Sequence, residues 1–150
     1  WLGDPEIYGY IRALVQGGRV LAVQGDLNGT TTLRSIGDTA RALGLPVHAL
    51  YTSNAEGFFK YTQNFRDNIE SLPRDDKSVM LRTFKHGMVS PPGDMWHYNL
   101  HQMNDFLERL KLPGYVNIYR VMQDLQRTPE GKKATEAIGV SYYDATVPRG

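Results

Sequence analysis

Apolar residues along the chain fall into two signatures. A spacing of three to four marks a helix with one buried stripe, and short unbroken runs mark strands covered on both faces. Ile7, Tyr8, Ile11, Leu14 and Val15 follow an N-cap candidate, Asp4, and a first-turn proline, Pro5, predicting a helix over 4–15 that Gly17-Gly18 stops. Arg19-Val20-Leu21-Ala22-Val23 then predicts a first strand, ending at Gln24-Gly25-Asp26. A turn cluster from Leu27 to Thr32 leads into Leu33, Ile36, Ala40 and Leu43 at helical spacing, with Gly44 as the C-terminal cap. Pro46 to Tyr51 predicts a second strand, and Phe58, Tyr61, Phe65, Ile69 and Leu72 a helix that stops before Pro73. Ser78 to Phe84 predicts a third strand.

Strands alternating with helices across short connections are the pattern of right-handed crossovers in a parallel sheet. The expected fold is therefore a Rossmann-like three-layer α/β sandwich with a small, mainly parallel sheet of three to four strands and a helical C-terminal part. Lys85 to Asp94 holds Gly87, Pro91, Pro92 and Gly93 and reads as a loop with a lid-like role. His97 to Leu110 reads as a helix with Leu100, Met103, Leu107 and Leu110 on one face. Val116 to Leu125 reads as helix in preference to strand, and Thr128 to Ile138 as a last helix capped by Gly139. The organisation expected is one domain over 1–139 and a tail over 140–150.

Composition narrows the function classes. With 17 Lys+Arg against 16 Asp+Glu the net charge is +1, which argues against a general nucleic-acid binder. The absence of cysteine removes disulfide scaffolds, thiol catalysis and Cys-ligated zinc. No apolar run reaches the roughly 18 residues of a membrane span, so a cytoplasmic domain is expected, with a secreted effector as the alternative. The start at Trp1 fits a piece of something longer.

In an open parallel sheet, ligands bind beyond the carboxyl ends of the strands. The first end offers Asp26, Asn28 and Thr30, the second Ser53 and Asn54, and the third Arg82 and His86. The first precedes a helix whose free N–H groups favour an anion, although a threonine cap and a glycine turn would account for the same residues. Ser53 and Asn54 read equally as a helix cap. Arg82 suits a carboxylate or phosphate of a ligand, or a pairing with Asp26 or another strand-end acid. His97 and His101 stand four apart, a helical spacing able to grip a divalent metal, but H-E-x-x-H is absent. Neither G-x-G-x-x-G after a strand nor G-x-x-x-x-G-K-[ST] occurs.

The stretches Gly18-Arg19-Val20-Leu21-Ala22-Val23-Gln24-Gly25-Asp26-Leu27, Tyr51-Thr52-Ser53-Asn54-Ala55-Glu56 and Leu81-Arg82-Thr83 resemble a family of uncharacterised bacterial proteins. Those proteins carry a Rossmann-like domain similar to class I S-adenosylmethionine-dependent methyltransferases. The resemblance covers about residues 4–125 and implies that fold, with S-adenosylmethionine as the cofactor it brings.

The function expected is binding of a small anionic or nucleotide-like ligand at the strand ends by a degenerate or partial methyltransferase-like enzyme. Asp26 would accept from ligand hydroxyls or amines, Asn54 would orient the ligand and Arg82 would neutralise its anionic group. Two alternatives stand beside it: an effector or toxin domain acting as a metal-assisted hydrolase through His97 and His101, and a non-catalytic interaction module. The partners expected are a small molecule and, because a small open sheet exposes its edges, a second copy or another protein covering them.

Overall fold

The computed structural model describes residues 2–84, 96–126 and 140–143. Asp4 accepts from the backbone N–H groups of Glu6 and Ile7 and starts α1 (Pro5–Gln16). Gly18, at φ 65°, reverses the chain after it. The next stretch, 19–26, has no regular secondary structure and joins no ladder, contrary to the strand its apolar run predicts. Leu21 and Val23 stay 83% and 66% exposed, and α1 buries none of its residues.

The following elements come where the periodicity places them. Helix α2 (Thr32–Ala42) ends at Gly44, whose φ of 68° lets Leu45 N–H bond back to the Ala40 carbonyl. Strand β1 (Ala49–Ser53) passes into a 3-10 turn at Ala55–Phe58, and only from Gln63 does helix α3 (Gln63–Glu70) begin, capped by Thr62 on the Phe65 N–H. The helix predicted from Phe58 is therefore shorter. Strand β2 (Val79–Thr83) matches its prediction.

The C-terminal half needs two corrections. The stretch 97–110 is not one helix: β3 (Tyr98–Gln102) hands over to α4 (Met103–Leu110), with the Gln102 side chain accepting from Asn104 and Asp105 N–H. The inward positions of β3 are Asn99 and His101, both fully buried, while Leu100 faces the half-buried side. An inverted alternation of that kind hides a strand from a hydropathy reading. The second correction falls on the tail, since Val140–Tyr143 forms strand β4 beside β3 after α5 (Ile118–Gln126). His86, the loop after Lys85 and the helix expected over 128–138 lie outside the described residues.

The four strands are ordered β1-β2-β3-β4, with β1–β2 and β3–β4 parallel and β2–β3 antiparallel. The architecture is thus mixed α/β with a small mixed sheet, and the three-layer arrangement expected from the sequence is not seen among the described residues. A single core joins Met80 of β2 to Phe65 and Ile69 of α3, Phe106 and Leu107 of α4, and Ile118 and Met122 of α5. Tyr61 stacks on Phe65 at 4.7 Å, and Phe106 meets Tyr61 edge-on at 5.9 Å. No helix among the described residues is long and apolar enough to cross a membrane.

Candidate functional site

The inner face of the sheet carries charge as well as apolar bulk. Between Tyr51 and Ser53 the β1–β2 register shifts, and Ser53 takes a φ of 53°, a left-handed value uncommon outside glycine. That kink carries the chain into the 3-10 turn on which Glu56, 1% exposed, lies beneath the strand ends. Its carboxylate accepts from Thr52 Oγ1, Tyr61 OH and Arg82 Nε, each at 2.6 Å. Burial pushes the Glu56 carboxyl up, but the Arg82 charge and the three hydrogen bonds outweigh it and hold it below its ordinary value. Burial, with the Glu56 charge, pushes the Tyr61 phenol well above its usual range.

Arg82 is itself 1% exposed and lies over the Phe106 ring at 4.4 Å. Its Nη2 contacts Met80 Sδ at 3.1 Å, whereas Nη1 has no hydrogen-bond partner among the described residues.

A second buried cluster adjoins the first, because His101 pairs with Met80 and Asn99 with Arg82 across β2–β3. His101 Nε2 lies 2.6 Å from Asp105 Oδ2, which also accepts from Arg109 Nε at 2.7 Å. Arg109 Nη1 stands 3.7 Å from Asp124, which accepts from the Tyr115 hydroxyl and faces the half-exposed Arg120. Burial drives His101 down to about 4 despite its bond to Asp105, and the nearby Arg82 charge adds to this. Burial would raise Asp105, but His101 and Arg109 bring it to about 2. Near neutral pH, Glu56 and Asp105 are therefore carboxylates, while His101 and Tyr61 are neutral. These four groups do not exchange protons in that range. They hold two guanidinium groups in fixed positions, and Arg109 Nη1 and Nη2 also lack hydrogen-bond partners among the described residues.

The residues singled out in the sequence divide into two groups at the same end of the sheet. Ser53 lies opposite Arg82 in the register, and its Oγ is 3.0 Å from Thr83 Oγ1. Asn54 precedes the 3-10 turn without a side-chain cap bond, so the cap expected of it is not made. Arg82 does pair with a strand-end acid, but the acid is Glu56 and not the exposed Asp26. Asp26 instead accepts from the Asn28 N–H at 2.9 Å, closing a local turn. Asn28 Oδ1 accepts from Thr62 Oγ1 at 2.6 Å, and Asn68 Nδ2 donates to the Leu27 and Gly29 carbonyls. Because α3 starts after β1 ends, Thr62 holds this turn on the carboxyl-end side of β1. Thr30 is exposed on it.

His97 and His101 belong to strand-like backbone, where four residues span about 13 Å, too far for one metal ion. No group of three acids or histidines able to hold a metal occurs among the described residues. The sequence offers Tyr61 and Tyr115 only as possible stacking surfaces and Asp105 only as an acid near His97 and His101, and it singles out neither Arg109 nor Asp124. The spacing of His101, Asp105 and Arg109 at intervals of four was the available signal.

Fold and site together define a mixed α/β domain with two adjoining buried charged clusters, Glu56–Arg82 near the carboxyl ends of β1 and β2 and His101–Asp105–Arg109 toward the amino end of β2. The chain belongs to the family described as Domain of unknown function (DUF7790), whose model matches residues 1–141. No curated protein matches it.

Proposed function

We propose that the domain binds a small anionic or nucleotide-like ligand at the carboxyl ends of β1 and β2. The observation that carries the reading is Arg82: fully buried, anchored by Glu56 through Nε, and with Nη1 left without a hydrogen-bond partner among the described residues. A buried donor of this kind needs an acceptor, and a guanidinium held on one edge presents the other with little ordering cost. Ser53, Asn54 and the Asp26–Thr30 turn supply the neutral hydrogen-bonding groups around it. The left-handed Ser53 agrees with this, since strained backbone gathers at ligand sites.

Calorimetric titration with inorganic phosphate, ATP and S-adenosylmethionine tests the proposal, the last probe being chosen for the methyltransferase resemblance. One of the three should bind, and both Arg82→Lys and Asn54→Ala should weaken it at least tenfold, roughly 1.4 kcal/mol, while urea unfolding shows each variant folded. No binding by any probe, or equal binding by both folded variants, overturns the reading.

A second reading, the interaction module, is favoured by one observation: Ile7, Tyr8 and Val15 of α1 are 45–54% exposed. It predicts concentration-dependent association in light scattering that Ile7→Glu abolishes.

A further inference from the structure

The apolar run over 19–23 is an unusual feature for an exposed stretch. Val20, Leu21 and Val23 are each more than half exposed, although their pattern is that of a strand buried on both faces. Nearby, β1 ends the sheet on one side, and no described strand pairs with its outer edge. Open edges of that kind are normally paired or covered.

The order of elements between these two features is that of a crossover unit. Leu21 and Val23 line one wall of an apolar groove of about 780 Å³, and Ile36, Ala40, Leu43 and Leu45 line the other. The groove runs from Thr31 and Thr32 at the start of α2 to Leu45 and Pro46, which lead into β1. The stretch that ends at Gln24 thus lies along α2 and leads into the turn that Thr62 and Asn68 hold. From Arg19 to Ser53 the chain has the length of one strand–helix–strand unit with α2 as its crossover. Gly25 completes the fit, because a Cβ there would sit 2.4 Å from the Thr32 side chain.

We propose that residues 20–24 add to the open edge of β1 as a fifth, parallel strand, closing the groove and fixing Gly25-Asp26 beside Ser53 and Asn54. Only the stretch before Gly25 moves, since α3 already holds the turn through Thr62 and Asn68. The groove is closed by its own wall, Leu21 and Val23 moving against Ile36, Ala40 and Leu43, and by no other chain. The consequence for binding rests on the ligand reading above: closure brings the Asp26 carboxylate to hydroxyls or amines of a ligand whose anionic group faces Arg82. The strand itself does not depend on that reading.

Hydrogen exchange with mass spectrometry on the unsubstituted chain separates the two. Without ligand, the amides of 20–24 that face β1 should exchange on the order of 100-fold slower than an unstructured peptide. Leu21→Pro and Ala22→Pro should differ, because successive N–H groups of an edge strand point to opposite sides and proline is tolerated only on the outer one. Exchange at the unstructured rate throughout 20–24 overturns the strand. The variant that removes protection while leaving β2 and β3 protected should lose at least tenfold in affinity for whichever of phosphate, ATP or S-adenosylmethionine the unsubstituted chain binds. Unaltered affinity in that variant overturns the coupling to the ligand end. No binding by the unsubstituted chain overturns the ligand reading and that coupling together, leaving the strand to be decided by exchange.

Discussion

Two hydroxyls and a guanidinium converge on the Glu56 carboxylate, and removing that one charge would strand Arg82 in the core. Breaking a buried pair from one side costs about 3–5 kcal/mol, whereas replacing both partners by apolar groups is often neutral. Glu56→Gln should therefore destabilise the fold by about 3–5 kcal/mol in urea unfolding, and the double variant Glu56→Leu with Arg82→Met should recover much of the loss. His101 gives the network a pH signature. Its folded value of about 4 lies below the ordinary 6.5, so the unfolded chain binds the proton more tightly. Stability from this source is complete above pH 6.5 and falls as the pH drops toward 4, by on the order of 3 kcal/mol. Asp105, held at about 2, extends the loss below pH 3.8. Urea midpoints from pH 7.5 to 4.5 should decline in the parent and flatten in His101→Gln; equal slopes would contradict the assignment. Arg82 was legible in the sequence because a charge at the end of an apolar strand needs a partner. Its partner was not, because the kink at Ser53 that buries Glu56 is a property of the β1–β2 register and leaves no trace in local pattern.

At the scale of elements, caps and turns decide where the chain changes state. Gln102 ends β3 and caps α4, so Gln102→Ala should cost about 1 kcal/mol, measured as a lowered urea midpoint with unchanged slope. Gly44→Ala, at φ 68°, should cost a similar amount. α1 and α2 were readable because stripe, cap and breaker agree, β1 and β2 because a short apolar run is bounded by polar or turn residues, and α5 from its 3.6 period alone. The strand β3 was not, because Asn99 and His101 occupy its buried positions and Leu100 its half-buried one. The period that remained, Leu100, Met103, Leu107 and Leu110, was that of the helix that follows. The run over 19–23 shows the opposite case: its strand pattern is plain, yet a strand exists only when a neighbour completes the ladder.

Across the whole molecule, the near-neutral charge conceals a separation. Two arginines and three acids share the core with His101, while the N-terminal helix and the stretch after it keep apolar side chains outside. A charged interior is a poor source of stability; under the ligand reading proposed above, its Glu56–Arg82 part serves to position a ligand-facing guanidinium. The turn from Asp26 to Thr30, the kinked Ser53 and the buried Arg82 all lie on the carboxyl-end side of β1 and β2, which is where open sheets bind ligands. The most direct test of this account is a titration with inorganic phosphate, ATP and S-adenosylmethionine followed by nitrogen–proton NMR, reading the Arg82 Nε–H and the Ser53 and Asn54 amides. The account predicts saturable shifts that appear first in these three signals for at least one probe. Signals that stay unmoved with all three, or shifts confined to other surfaces, would contradict it.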